Sequence, residues 1–159
     1  MNIKPSMLLA ALMLGSSLLC VANPSADVSV SHAWSRATPP GITTGVVYLT
    51  IVNRGDEDEL LRVESPSAEH VEMHETLEHD GMMEMRPLET LRLPAGSTVK
   101  FEPSGKHMML IGLRQPLREG ESVPLTLVFR RAGQLPARAV VGGLGATEEP
   151  TPLHPGRPR

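Results

Sequence analysis

Cysteine is almost absent from this chain of 159 residues, and the single one, Cys20, lies in an N-terminal segment that is typical of an export signal. Lys4 gives the segment a positive start, an apolar stretch occupies residues 7–19, and small residues follow it. We predict a signal peptide over residues 1–22, with cleavage after Ala22. A mature chain without Cys20 cannot form disulfides, bind zinc through thiolates, use a cysteine nucleophile or hold a blue-copper centre, which needs a Cys ligand.

Other fates of this N-terminal segment are less favoured by its sequence. Cleavage after Ala26 is a second choice. A retained membrane anchor is disfavoured because the apolar stretch is short for a membrane-spanning helix. Lipid attachment at Cys20 is disfavoured because Leu19 stands where that route needs a small residue. We therefore predict an exported protein that is not an integral membrane protein after cleavage.

Aromatic residues and an excess of positive charge are also missing. Only 3% of residues are Phe, Trp or Tyr, so the core should consist mainly of Val, Leu and Ile. Loss of Lys4 leaves 14 basic against 18 acidic residues, a net charge of −4, which gives no sign of a nucleic-acid partner. Residues 27–145 are enough for one domain with one core. Residues 146–159 are rich in proline and poor in apolar side chains, so we predict a disordered tail.

The predicted domain lacks the 3.6-residue apolar period of helices. Short β-rich runs alternate with turn sequences instead. The predicted strands are 28–34, 45–53, 60–64, 70–77, 82–88, 97–101, 107–113, 122–131 and 137–141. The sequences between them have turn chemistry, as in Asp80-Gly81. Many short strands at even spacing predict an all-β single domain, either a β-sandwich or a Greek-key barrel.

Four potential soft-metal ligands are spaced His-x10-Met-x21-His-x-Met: His74, Met85, His107 and Met109. Thioether is a soft neutral donor and imidazole a borderline one, so this set favours Cu(I) over hard, oxygen-seeking ions. The last two ligands are two residues apart on one predicted strand and therefore share a face. None of the four is a thiol, which suits an oxidising compartment.

The hairpin at Asp80-Gly81 decides whether the first two ligands can meet. If these two residues form the loop, Thr76 faces Met85 and His74 lies diagonally across from Met85. If the loop is 78–81, His74 sits directly opposite Met85. In both registers the two ligands share a face, whereas a three-residue loop would separate them.

The methionines cluster in the sequence near these ligands. Six of the nine lie outside the signal peptide, and all six fall within residues 73–109. Met73 and Met108 alternate to the opposite face and are predicted to pack in the core. Met83 shares the face of Met85 and is the main alternative ligand. Met82 should be exposed at the turn.

The other histidines are predicted to be ordinary solvated or hydrogen-bonded side chains. They are His32, His70, His79 and, in the tail, His154. His79 lies beside the turn and is an alternative accessory ligand.

At the four ligands the chain closely resembles the periplasmic copper chaperone family known as PCu(A)C, whose ligand spacing it matches without departure. The flanking sequences are similar as well: Val-Glu-Met-His-Glu-Thr at 71–76, His-Met-Met-Leu-Ile-Gly-Leu at 107–113, Ala-Trp-Ser-Arg-Ala-Thr-Pro-Pro at 33–40, and residues 45–53. The resemblance covers roughly residues 28–142.

This resemblance implies a periplasmic protein with a cupredoxin-like fold that binds Cu(I) at a partly exposed site and is not an enzyme. It also implies delivery of copper to the CuA centre of cytochrome c oxidase, directly or with a second copper chaperone. Some relatives bind Cu(II) through a C-terminal extension rich in His and Met. The tail here has only His154 and no methionine, which puts that activity in doubt.

Other functions remain open at this point. One is general periplasmic copper buffering or tolerance, and another is an exported binding module whose methionines form an apolar patch for a partner. A small copper oxidase or reductase is disfavoured, because two His and two Met ligands stabilise Cu(I) too strongly for easy redox cycling.

Overall fold

A computed structural model describes residues 27–150, which form ten β-strands and no α-helix. The strands are β1 (Val28–Arg36), β2 (Thr44–Asn53), β3 (Asp58–Glu64), β4 (His70–His79), β5 (Met82–Leu88), β6 (Leu91–Leu93), β7 (Thr98–Phe101), β8 (Lys106–Ile111), β9 (Ser122–Phe129) and β10 (Gln134–Gly142). No helix long and apolar enough to cross a membrane is present in these residues. The predicted signal peptide, residues 1–22, lies outside the described residues.

The strands form one sheet in the order β5-β4-β8-β7-β2-β1-β10-β9-β3-β6, and β2 also pairs directly with β8. Most neighbours are antiparallel, while β1 with β10 and β7 with β8 are parallel. The sheet folds over on itself, since β3 and β4 contact each other although they are distant in the strand order. The predicted all-β, single-domain, cupredoxin-like fold is confirmed.

The core lies inside this folded sheet and is built from alternate residues of the strands. Its apolar side chains are mainly Val, Leu and Ile, as the scarcity of aromatic residues predicts. The largest of the completely buried side chains are Leu49, Ile51, Leu60, Leu93, Met108, Leu110 and Leu127. The alternation of buried and exposed residues leaves one face of each strand free to carry polar or metal-binding groups.

All nine predicted strands exist with ends within three residues of the prediction, and three of the differences are informative. The short β6 is missed by sequence reasoning, because Leu91–Leu93 is too brief to show an alternating pattern before Pro94 ends it. The predicted end of β8 is wrong: the strand stops at Ile111, because Gly112 has a φ of +68° and turns the chain. β10 begins at Gln134, three residues earlier than predicted.

β1 contains a bulge that the sequence did not reveal. Ser31 pairs with Thr50 and Trp34 with Tyr48, so β1 has one more residue than β2 between these pairs. The irregularity includes His32, whose φ is +52°. Beyond the bulge, Trp34 packs on Tyr48 with 4.6 Å between ring centroids.

The segment after β10 returns to β1. The Arg36 Nε donates to the Ala146 carbonyl at 2.7 Å, and the His32 Nδ1 lies 2.7 Å from a Glu149 carboxylate oxygen. These contacts involve the first residues of the predicted tail, and the rest of it lies outside the described residues. The disorder predicted for 146–159 stays a prediction.

Candidate metal site

Two histidines from different strands lie side by side on the outer face of the sheet. β4 and β8 are antiparallel neighbours, and their register places His74 directly opposite His107. The ring centroids are 5.8 Å apart and the ring planes are 26° from parallel. The neighbouring cross-strand pair, Glu75 and Lys106, lies on the opposite face and forms an ion pair between the same two strands. The histidines are thereby held as a pair by the sheet itself.

Met109 lies next to this pair. It is two residues after His107 on β8, so its side chain emerges on the same face. Its direct cross-strand neighbours are Glu72 on β4 and Val46 on β2. Because Glu72 is two residues before His74, Met109 is a diagonal neighbour of His74, within reach of a long side chain.

The β4–β5 hairpin turns through a two-residue loop. Asp80 and Gly81 have φ values of +51° and +74°, and two positive central φ values are the signature of a type I′ turn. Thr76 therefore faces Met85, and His74 lies diagonally across from Met85. Of the two registers that the sequence left open, the one with the two-residue loop is confirmed and the one with the four-residue loop is wrong.

Met85 stands apart from the other three candidate ligands. It faces Thr76, whereas Met109 faces Glu72, and these two positions on β4 are separated by about 13 Å at the usual rise of a strand. Its side chain is 53% exposed on the edge strand β5. A metal held by all four residues would therefore need the flexible Met85 side chain to turn toward His74.

The remaining methionines follow their predicted faces. Met73 and Met108 are buried in the core, and Met82 is 69% exposed beside the turn, as expected. Met83 is 62% exposed and emerges on the same face as Met85, which keeps it as the alternative ligand.

Backbone contact fixes the orientation of the His107 ring. Its side chain is buried, and its Nδ1 lies 3.1 Å from the carbonyl oxygen of Gly105. A carbonyl can only accept a hydrogen bond, so Nδ1 carries the proton and Nε2 of the neutral ring has a free lone pair. His107 therefore offers Nε2 to a metal ion.

A carboxylate fixes the orientation of the His74 ring, but through Nε2 and not through Nδ1 as in His107. The His74 Nε2 lies 2.9 Å from a carboxylate oxygen of Glu72, and the His74 Nδ1 is buried without a hydrogen-bond partner among residues 27–150. Hydrogen bonds lower the pKa of Glu72 below its usual range, the one from His74 more than the one from His70. The carboxylate is therefore ionised and accepts a hydrogen bond from the Nε2–H of His74. The neutral His74 ring then has its free lone pair on Nδ1.

Sequence reasoning missed Glu72. The signal was present, because His70, Glu72 and His74 occupy alternate positions of one strand and therefore share one face. A carboxylate between two imidazoles on such a face can hydrogen-bond to both, and Glu72 does.

The other described histidines lie away from the paired rings. His70 is exposed and bonded to Glu72, and His32 is exposed and contacts Glu149. The side chain of His79 is 80% exposed at the hairpin tip, next to Asp80. His154 lies outside the described residues.

Met83 and Met85, the two exposed methionines on one face of β5, allow a matched test of the fourth ligand. We expect Met85→Leu to weaken Cu(I) binding by about tenfold or more, since the change removes a thioether at nearly constant volume. Met83→Leu should leave the affinity unchanged. Both affinities would be measured by competition with a chromophoric Cu(I) chelator. A loss with Met83→Leu and none with Met85→Leu would assign the fourth ligand to Met83 instead.

Comparison with known proteins covers nearly the whole described domain. A family model described as "Putative lipoprotein LpqE-like" matches residues 28–141, from the start of β1 to the last residue but one of β10. A protein of Leifsonia xyli subsp. xyli, described as "Putative lipoprotein Lxx21020", is 32% identical over 124 residues. That match covers 77% of this chain and 74% of the relative.

Solved structures with the same fold include copper-bound forms. The PCuAC domain of PmoF2 matches in its apo form with a TM-score of 0.64 and 28% identity, over 77% of this chain and 94% of that domain. The copper-bound PmoF2 domain matches with a TM-score of 0.64 and 27% identity, over 74% and 93%. The CuI form of DR1885 from Deinococcus radiodurans matches with a TM-score of 0.57 and 32% identity, over 71% and 76%.

Proposed function

This chain belongs to the LpqE-like family, and we propose that it is a periplasmic metallochaperone for Cu(I). Copper is its cargo, held by His74, His107, Met109 and Met85. We further propose that it delivers copper to the CuA centre of cytochrome c oxidase, directly or through another copper chaperone. It has no enzymatic role in this proposal.

The pairing of His74 with His107 is the observation that carries the proposal. The two rings lie 5.8 Å apart on the outer face of the sheet, and each has one nitrogen whose proton is fixed by an acceptor. Each ring thus presents a single free lone pair, and Met109 adds a thioether beside them. Two imidazoles with thioether donors are a soft, neutral set that suits Cu(I).

The solved relatives support copper as the cargo. A copper-bound PmoF2 PCuAC domain and a CuI form of DR1885 both share the fold of this chain. We extend the binding of copper from those proteins to this one because the chain retains the His and Met spacing described above.

Neutral ligands also suit a protein that must release its metal. Imidazole and thioether leave the positive charge of Cu(I) uncompensated. Thiolates of an acceptor such as a CuA centre are anionic, so they gain an electrostatic advantage when ligands exchange. Met85, exposed on the edge strand, is the ligand that an acceptor could replace first.

Export is part of this proposal. We propose that the signal peptide is cleaved after Ala22 and that the mature protein is soluble in the periplasm. The names of the family and of the Leifsonia relative contain the word lipoprotein, which supports lipid attachment at Cys20 as the alternative. Both routes place the copper site outside the cytoplasm.

A second candidate function has one observation in its favour. Met83 and Met85 are both exposed on one face of the edge strand β5, and together they offer an apolar surface that could bind a protein partner without copper. General copper buffering is a third candidate, since it requires the same site but no acceptor.

Copper transfer to an apo CuA domain separates these functions. We expect the mature domain to bind one Cu(I), and we expect the loaded protein to transfer it to the CuA domain. The visible absorption of the oxidised CuA centre would measure this transfer. Binding without transfer, when free Cu(I) in the same assay does metallate the acceptor, would favour buffering. No Cu(I) binding would favour the partner-binding module.

A further inference from the structure

Glu72 lies on the same face of the sheet as the proposed ligands and connects two histidines. One of its carboxylate oxygens is 2.9 Å from the His74 Nε2, and the other is 3.2 Å from the His70 Nε2. Glu72 also stands directly opposite Met109. Its carboxylate is therefore next to the proposed site while it is bonded to one of its ligands.

The other nitrogen of His74 has no partner in the part of the chain that the structure describes. Its Nδ1 is buried and makes no hydrogen bond with residues 27–150. Buried polar atoms in native proteins are nearly always paired, so an unpaired one calls for an explanation. A free lone pair in a buried position next to a second imidazole is the expected state of a nitrogen whose partner is a metal ion.

From this arrangement we propose that Glu72 is a positioning residue, whose carboxylate holds the Nε2 proton of His74 so that Nδ1 is the nitrogen that binds copper. This inference rests on the proposed copper-binding function. Metal-binding histidines generally donate their second ring N–H to a carboxylate, a carbonyl or water, and this contact fixes the tautomer and orientation of the ring. Glu72 does this for His74, as the Gly105 carbonyl does for His107.

Copper binding through Nε2 of His74, instead of Nδ1, would leave two polar groups without a hydrogen-bond partner. If copper bound to Nε2 of His74, the carboxylate of Glu72 would lose its donor on that side. The proton of the neutral ring would then move to Nδ1, which is buried and has no acceptor among the described residues. Leaving a buried donor unpaired is unfavourable, so binding through Nδ1 satisfies more of the groups present.

The tautomer of His74 in the metal-free protein tests the proposal without copper. Long-range 1H–15N correlation spectra of the 15N-labelled mature protein at neutral pH would distinguish a protonated ring nitrogen from a bare one. We expect His74 to carry its proton on Nε2, and we expect this proton to remain when Cu(I) is added. A bare Nε2 in the metal-free protein, or loss of the Nε2 proton on loading, would overturn the proposal.

Three variants separate positioning from a general structural effect. Glu72→Ala should give a mixture of His74 tautomers and weaken Cu(I) binding by about 10- to 100-fold. Glu72→Gln retains a side-chain oxygen that accepts from Nε2, so it should restore the single tautomer and most of the affinity. His70→Ala removes the second contact of Glu72 and should leave both readouts unchanged.

A matched carboxylate control is available on the same strand. Glu78 shares the face of Glu72 but is exposed near the hairpin turn, opposite Met83, so Glu78→Ala should change neither tautomer nor affinity. Unchanged or stronger Cu(I) binding by Glu72→Ala would show that the carboxylate does not support the site or competes with the metal. If the wild type binds no Cu(I), the proposed function fails, whereas the tautomer result still decides the role of Glu72.

Discussion

Replacing His107 and Met109 together by alanine should reduce the affinity for Cu(I) by more than about 1,000-fold, a loss of about 4 kcal/mol of binding free energy. The change removes one of the two paired imidazoles and the thioether beside it, so that His74 retains only the distant Met85. One imidazole and one thioether supply only half of the proposed donors and should therefore hold Cu(I) much more weakly. The affinity would be measured by competitive titration with a Cu(I) chelator of known affinity.

A control variant with the same residue types is offered by the hairpin tip. His79→Ala/Met82→Ala also removes one imidazole and one thioether, but both side chains are exposed and Met82 is next to the turn. This variant should bind Cu(I) like the wild type. Equal Cu(I) affinity of the His107→Ala/Met109→Ala variant and the wild type would contradict the assigned site.

Because His107 is buried, loss of binding could also come from damage to the fold, and a further variant excludes this. Met109→Leu nearly conserves the volume of a half-buried side chain and leaves both histidines in place, so it should fold normally and still lose a large part of the affinity. Thermal unfolding of the metal-free proteins would establish that the compared variants are folded.

The second large effect concerns stability. We expect Met108→Ala to lower the free energy of unfolding of the metal-free protein by about 2–5 kcal/mol, because Met108 is completely buried and its truncation leaves a cavity. Denaturation with urea, followed by fluorescence of Trp34, would measure the change. A much smaller loss would mean that Met108 does not pack in the core.

Met108 and Met109 also form a matched pair of adjacent methionines on opposite faces of β8. Met108→Leu should retain Cu(I) affinity and most of the stability, whereas Met109→Leu should retain stability and lose affinity. The reverse result would mean that the two side chains exchange faces, which a slip of one residue in the register of β8 would cause.

Much of the fold followed from local patterns. The nine predicted strands exist because alternation of apolar residues and turn sequences such as Asp80-Gly81 act over a few residues. The same alternation correctly separated the buried Met73 and Met108 from the face that carries His74. The brief strand β6 and the bulge of β1 did not follow, because their sequences are too short or too irregular to show a period.

The hairpin illustrates where local information is incomplete. Asp80-Gly81 predicts a turn, yet the sequence permitted both a two-residue and a four-residue loop. The structure has the two-residue loop, and Met85 consequently lies diagonally from His74 rather than opposite to it. Both registers keep the two residues on one face, so the shared face could be predicted although the distance could not.

The sequence by itself determined the kind of donors available to the candidate site: soft, neutral side chains on strand faces, in a chain whose only cysteine lies in the predicted signal peptide. Only the tertiary structure decided that His74 stands directly opposite His107, that Glu72 contacts the His74 Nε2, and that the His74 Nδ1 is buried without a partner among residues 27–150. The physical reason is the range of the interactions. Residue chemistry and alternation are local, whereas the pairing of strands far apart in the chain depends on the packing of the whole core.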